Sequence, residues 1–219
     1  MSAAVIQLIV LAGVAIFLIL RLRSVLGTRE GFEKPPAPLP GSDASSRRDF
    51  EVIEGGPDTD ITDHVADGTD AAKALAAMKI AEPGFNVSEF LSGAKGAYEW
   101  ILMAFESGNL EDVTGFMSEE VFETFSQVID QRQAEGLSIE AEFVGVRETS
   151  LVDAEFDRGS NVGEVTVRFV AELTSVVKNA DGEIVEGDPN TIKRQKDVWT
   201  FAREMGSKDP NWRLVATDE

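Results

Sequence analysis

The hydrophobic period of this chain changes once, at Gly136, and that change dictates its architecture. Before it, apolar residues recur every three to four positions: Phe90, Leu91, Ala94, Ala97, Tyr98, Ile101, Leu102 and Phe105, then Val121, Phe122, Phe125, Val128 and Ile129. Such spacing lines one face of an α-helix. After it, Ile139, Ala141 and Phe143 alternate with Glu140 and Glu142, and Val165, Val167, Phe169, Ala171 and Leu173 alternate with Thr166, Arg168 and Glu172. Period two belongs to half-buried antiparallel strands. Helices first and strands after predict an α+β domain, with three helices packed on a bent antiparallel sheet of about four strands.

Local signals set the boundaries. Asn86 is an N-cap, Glu89 stands at N3, and Phe85 is placed to staple onto Phe90, so a long helix starts at this point and runs to Gly108. Asn109 caps a short second helix over 110–117, and Ser118 caps a third that ends at Gly136. Asn179-Ala180-Asp181-Gly182 turns the chain, residues 186–190 make a longer bend, and 191–204 and 212–217 supply the last strands. Tyr98, Phe105, Phe169, Trp199, Phe201 and Trp212 are the expected aromatic core of a domain over 85–219. Ahead of it, residues 70–84 carry a short alanine-rich docking helix with Ala71, Leu75 and Met78 on one stripe. Too short to persist alone, it docks on the domain, on a membrane or on a partner.

Residues 3–20 read AAVIQLIVLAGVAIFLIL, in which Gln7 is the one polar side chain. At the helical rise this run covers roughly 27 Å of a hydrocarbon core about 30 Å thick, so it predicts a transmembrane helix. Val5, Ile6, Leu8, Ile9, Phe17 and Leu20 face lipid, and Arg21 and Arg23 mark its end. A cleaved signal peptide would carry basic residues before the apolar run, whereas here Arg21, Arg23 and Arg29 follow it. Positive flanks stay on the cytoplasmic side. The expectation is a single-pass anchor over 1–29 in a bacterial inner membrane, with the soluble part in the cytoplasm.

Residues 30–69, with PPAPLP at 35–40, have the composition of a flexible tether that spans on the order of 35 Å. Charge divides there too. Residues 1–29 hold three arginines and no acid, so the chain's net −19 becomes −22 over the remainder. Such a body is repelled by phosphate backbones, and nucleic acid is excluded as a partner. The tether's Asp58, Asp60, Asp63, Asp67 and Asp70 lack the glycine and closing glutamate of a calcium-binding loop, so no metal is expected.

Catalytic groups are sparse. Cysteine is absent, the single histidine, His64, lies in the tether, and no phosphate loop or dinucleotide fingerprint occurs. No cofactor is expected. Glu140, Glu142, Glu164 and Glu172 fall on the polar phase of their strands and read as solvated. The anomaly is apolar instead: Trp100 and Met103 lie about 200° and 140° round the helix from Tyr98, on the back face that also carries Gly93 and Gly96. Either the 70–82 helix or the end of the sheet covers this patch, or another protein does.

Several segments resemble one family. They are LRLRSVLGTREGFE (20–33), FLSGAKGAYEWILMAFESGNLEDV (90–113), FSQVIDQRQAEG (125–136) and DVWTFAREMGSKDPNWRLVATDE (197–219). Together they are similar to the TimA-type adaptors of alphaproteobacteria, relatives of the import-motor scaffold of the mitochondrial inner-membrane translocase, its Tim subunit forty-four. The resemblance implies a cone-shaped nuclear-transport-factor-two-like domain around a deep apolar cleft, and a non-enzymatic tethering role. In the mitochondrial scaffold short helices ahead of the domain contact lipid, and residues 70–82 are their counterpart here.

Three functions compete. The first is an inner-membrane adaptor that recruits protein partners, linked to protein translocation or membrane-protein assembly. The second is binding of a lipid tail or other apolar small molecule in the cleft. The third is an enzyme using a carboxylate buried there.

Overall fold

The computed structural model describes residues 58–218. The proposed anchor residues Val5, Ile6, Leu8, Ile9, Phe17, Leu20, Arg21 and Arg23, and the tether up to residue 57, lie outside the described residues. Among the described residues no helix is long and apolar enough to cross a membrane.

In chain order the elements are α1 (Thr59–Thr62), α2 (Asp70–Ala81), α3 (Val87–Ser107), a 3-10 turn (Glu111–Phe116), α4 (Glu119–Ala134), and strands β1 (Ser138–Asp157), β2 (Val162–Lys178), β3 (Ile184–Gly187), β4 (Lys193–Glu204) and β5 (Arg213–Asp218). The fold is α+β, with helices packed on one antiparallel sheet of order β1-β2-β4-β5. β3 joins β2 at Val176–Lys178, beyond the stretch Val162–Leu173 that pairs with β4. Register shifts break β1 at three places, between Phe143 and Gly145, Val146 and Glu148, and Leu151 and Asp153. Bulges of this kind bend a strand and increase its twist.

Each helix begins where a side chain satisfies its free amides. Asn86 accepts from the Glu89 amide at 2.8 Å, Ser118 from Val121 at 3.2 Å and Thr69 from Ala72 at 3.2 Å. α3 ends at Gly108, whose φ of +77° is costly for any side chain but free for glycine.

One face of α3 then meets the sheet. Tyr98 stacks on Phe169 at 4.4 Å and 19° and touches Trp199 at 4.7 Å, while Phe90 meets Phe201 edge-on at 6.2 Å. Tyr98 and Phe169 are wholly buried, and Phe201 and Trp199 nearly so. Nearer the start of α3, Trp212 lies 4.6 Å from Phe90 and 5.8 Å from Phe85, which completes the staple. Phe105 is half-buried against Phe125, beneath Arg132, whose guanidinium donates to the Phe105 carbonyl at 3.0 Å.

α2 packs on β1 and buries Leu75 and Met78 completely. It sits close because Gly163 has no side chain: a Cβ there would lie 3.0 Å from both Met78 Sδ and Met78 Cε. Its end is fastened as well. Glu82 takes a 2.6 Å ion pair from Arg203 and a 2.8 Å hydrogen bond from the Gly206 amide in the β4–β5 turn, and Arg203 lies over the Trp212 ring at 5.3 Å.

Five expectations change. The tether stops short of residue 69, because from Asp58 onward the chain forms α1 and is fastened to the domain. The Asp60 carboxylate accepts from the Val87 amide at 2.8 Å, from the Ser88 amide at 3.0 Å and from the Ser88 hydroxyl at 2.9 Å, and it pairs with Lys79 at 2.7 Å. His64, read as a solvated linker residue, has Nε2 3.0 Å from Ser88 Oγ. The second helix is a 3-10 turn, with Asn109 accepting from Glu111 at its start. A fifth strand, β3, occupies the segment read as turn and bend, and Val128 of the α4 stripe is 47% exposed rather than packed.

Partial burial works to raise the Asp60 carboxyl, but Lys79 and the Val87 and Ser88 amides outweigh it and hold the group far below the usual carboxylate range. Since the folded group titrates below the unfolded one, its stabilisation is complete above about pH 4 and drains away as pH falls further. In urea titrations Asp60→Asn should lower stability by about 1–3 kcal/mol at neutral pH, and the gap should close in acid. Equal stability of the two proteins at neutral pH would show that the contact holds nothing.

The tryptophans of the last hairpin differ in burial, and truncation should separate them. Trp199→Ala should cost about 3–5 kcal/mol, whereas half-buried Trp212 should cost visibly less. Thermal unfolding of the two variants side by side reads the difference.

Candidate functional site

With its inner face seated on aromatic rings, α3 must turn Trp100 outward, two residues beyond Tyr98. The indole is 49% exposed. Its aromatic neighbour is Phe116 of the 3-10 turn, at 5.1 Å between ring centres. Met103 lies half-buried one turn on. Gly93 and Gly96 are exposed on the same face, and a Cβ at either would meet nothing within 4 Å. The α2 helix, a candidate cover for this face, is occupied on β1, and Trp100 stays half exposed. Phe116 was invisible to sequence reasoning, because only the course of the chain after Gly108 brings the two rings together.

The four strand carboxylates read as solvated do lie on the outside of the sheet or in ion pairs. Glu172 bridges Arg147 at 2.6 Å and Arg194 at 3.2 Å, and Glu140 pairs with Lys178 at 2.6 Å. The Arg147 hydrogen bond, followed by that of Arg194, lowers the Glu172 carboxyl below its ordinary range. Glu142 and Glu164 are exposed.

Among the described residues one carboxylate is buried, that of Asp197, two residues before Trp199 on the same side of β4. It accepts from the Tyr98 hydroxyl at 2.5 Å and from the Gln195 amide at 3.1 Å. Burial, and then Asp197 itself, push the Tyr98 hydroxyl far above its ordinary value, so it holds its proton at any physiological pH. Nearby Glu106 is raised by burial, with Arg132 and Lys193 opposing. A tyrosine that keeps its proton and a carboxylate already donated to make an anchor rather than an acid–base pair. Among the described residues no group of His, Asp and Glu side chains is placed to hold a metal ion.

An apolar cleft is the expectation, and the face of the sheet that meets α3 carries Phe169, Trp199 and Phe201 closed over by Tyr98. A cavity of about 540 Å³ opens instead beside the β4–β5 turn and the start of α4. Arg203, Arg213, Glu119, Glu204 and Asp209 stand in its wall. That charge is ill suited to a lipid tail.

Residues 71–219 match the family described as Tim44-like domain. The chain belongs to that family. Over 160 residues it is 26% identical to the human mitochondrial import inner membrane translocase subunit TIM44, a match covering 72% of this chain and 35% of the relative. The rat subunit is 28% identical over 161 residues, with the same coverage. The chain thus spans about a third of the length of these curated relatives. Among solved structures, the intermembrane space region of chloroplast protein ARC6 is similar at a TM-score of 0.39 and 11% identity, covering 60% of this chain and 92% of that one. The family match takes in nearly all of α2.

Tyr98→Phe tests the anchor. Loss of the hydroxyl leaves a buried carboxylate short of a donor and should cost about 1–3 kcal/mol, and replacing Asp197 by leucine in the same protein should recover part of it. Additive losses in a double-mutant cycle would show that the two groups are not coupled.

Proposed function

We propose that this chain is a non-enzymatic adaptor, anchored through residues 3–20 at the cytoplasmic face of a bacterial inner membrane, of the TimA type within the Tim44-like family. Its folded domain recruits a protein partner, and the task belongs to protein translocation or membrane-protein assembly. Family membership supports the scaffold role, since the relatives are named as subunits of an inner-membrane translocase. The apolar run and the arginines that follow it support the anchor and its orientation.

The observation that carries the reading is Trp100. A large aromatic ring is left half in water, covered on one side by Phe116 and flanked by two glycines with open space above them. Tryptophan is the residue most often found as an energetic anchor of protein–protein contacts, and glycines let a second backbone come near. Met103 adds a deformable apolar edge.

A photoreactive amino acid at Trp100 or Met103 of the full chain, irradiated in its membrane, should yield an adduct with a second polypeptide, while one at Thr217 should not. Adducts confined to residues 70–81 of the same chain would sink the docking face. Trp100→Ala itself should leave the melting temperature nearly unchanged, because the ring is not part of the core.

A further inference from the structure

The surface of α3 that carries Trp100 also carries exposed carboxylates. On the α3 surface Glu89 projects about 20° from it and Glu99 about 100°, whereas Lys95 points some 140° away. Glu111 and Asp112, both exposed, belong to the 3-10 turn that carries Phe116, and exposed Glu119 and Glu120 open α4. From Val87 to Glu120 there are seven acidic residues and one basic residue. An indole face inside such a field attracts cations twice over, through the ring quadrupole and through the carboxylates.

The glycines add shape. Gly93 and Gly96 each weaken an exposed helix interior by roughly 0.5–1 kcal/mol, and among the described residues nothing packs into the space they leave. From Gly93 to Met103 the track is ten residues long, about 15 Å, or nearly three turns. A partner helix laid along it would bring its axis close over the glycines and its side chains around the indole.

Resting on the docking role proposed for this face, we infer that the occupant is an amphipathic helix of another protein, with lysine or arginine on both sides of an apolar stripe. The stripe covers Trp100, Phe116 and Met103, and the cations meet Glu89, Glu99 and Asp112. An anionic membrane surface or a nucleic acid would be repelled by the same groups.

Three fluorescent peptides of one apolar stripe, flanked by lysine, by glutamine or by glutamate, test this against the full chain in detergent by anisotropy. The lysine peptide should bind at least about tenfold more tightly than the glutamine peptide, a difference of about 1.4 kcal/mol, and the glutamate peptide should not bind. Its affinity should fall between about 0.05 and 0.3 M salt. Glu89→Gln with Glu99→Gln should weaken it roughly threefold to tenfold, and Gly93→Leu or Trp100→Ala should remove most of the binding, with circular dichroism unchanged. Equal binding of the lysine and glutamine peptides would overturn the basic partner and leave the docking face standing. Lysine-peptide binding indifferent to Trp100→Ala and to the glutamate substitutions would put it down to diffuse acidity and overturn the site. Absence of binding by every peptide would overturn the helical occupant, while a Trp100 adduct from the crosslinking would still uphold the face.

Discussion

The stacking of Tyr98 between α3 and the sheet is the contact on which the rest of the domain depends. It sets the rotation of α3 about its own axis, since Tyr98 against Phe169 and Trp199 fixes which residues face inward. The hydrogen bond to Asp197 makes that rotation specific, because a slip of one residue would leave a buried carboxylate without its donor. Ring contacts alone tolerate small shifts; a polar pair in an apolar core does not. From this one rotation follow the burial of Ile101 and Leu102 and the exposure of Trp100.

Two ion pairs at the end of α2 then join distant segments to the helical layer. Glu82 ties the end of α2 to Arg203, and through that guanidinium to the Trp212 ring of the last hairpin. Asp60 and Lys79 tie α1 and α2 together at the first turn of α3, where the Val87 and Ser88 amides would otherwise lack acceptors. Helices as short as α1 and α2 would not survive in water by themselves. Their persistence comes from these side chains and from Leu75 and Met78 in the core.

How far the sequence discloses this structure depends on the range of the interaction. Caps and stripes are local: Asn86, Ser118, Gly108 and the α3 face from Phe90 to Leu102 can be read within a few residues of themselves. Trp100 was legible as an anomaly for the same reason, as the helical period alone puts it opposite Tyr98. Asp197 was legible in principle, because carrying the alternation of Phe201 and Trp199 back two residues lands on it, an acid on the buried phase of its strand. Asp60 was not. Its partners Val87 and Ser88 lie 27 and 28 residues away, and in isolation an aspartate-rich stretch has the composition of a solvated linker. Phe116 falls between these cases: the residue is plain in the sequence, its meeting with Trp100 is not.

α3 is therefore where three requirements converge on one rigid element. Its inner face holds the sheet, its first turn holds the segment that leads back toward the amino-terminal region, and its outer face carries the open indole. A load applied to the chain ahead of Asp58 reaches the domain first through α1 and the Asp60 contact, at the Ser88 end of the same helix that displays Gly93, Gly96 and Trp100. For the adaptor proposed above, the path from Asp58 to the Trp100 face thus runs along a helix axis and not across the strand pairing of the sheet. The sheet is left as the frame that fixes the helix, and its charged outer residues, Glu172 with Arg147 and Arg194 among them, need only remain compatible with water.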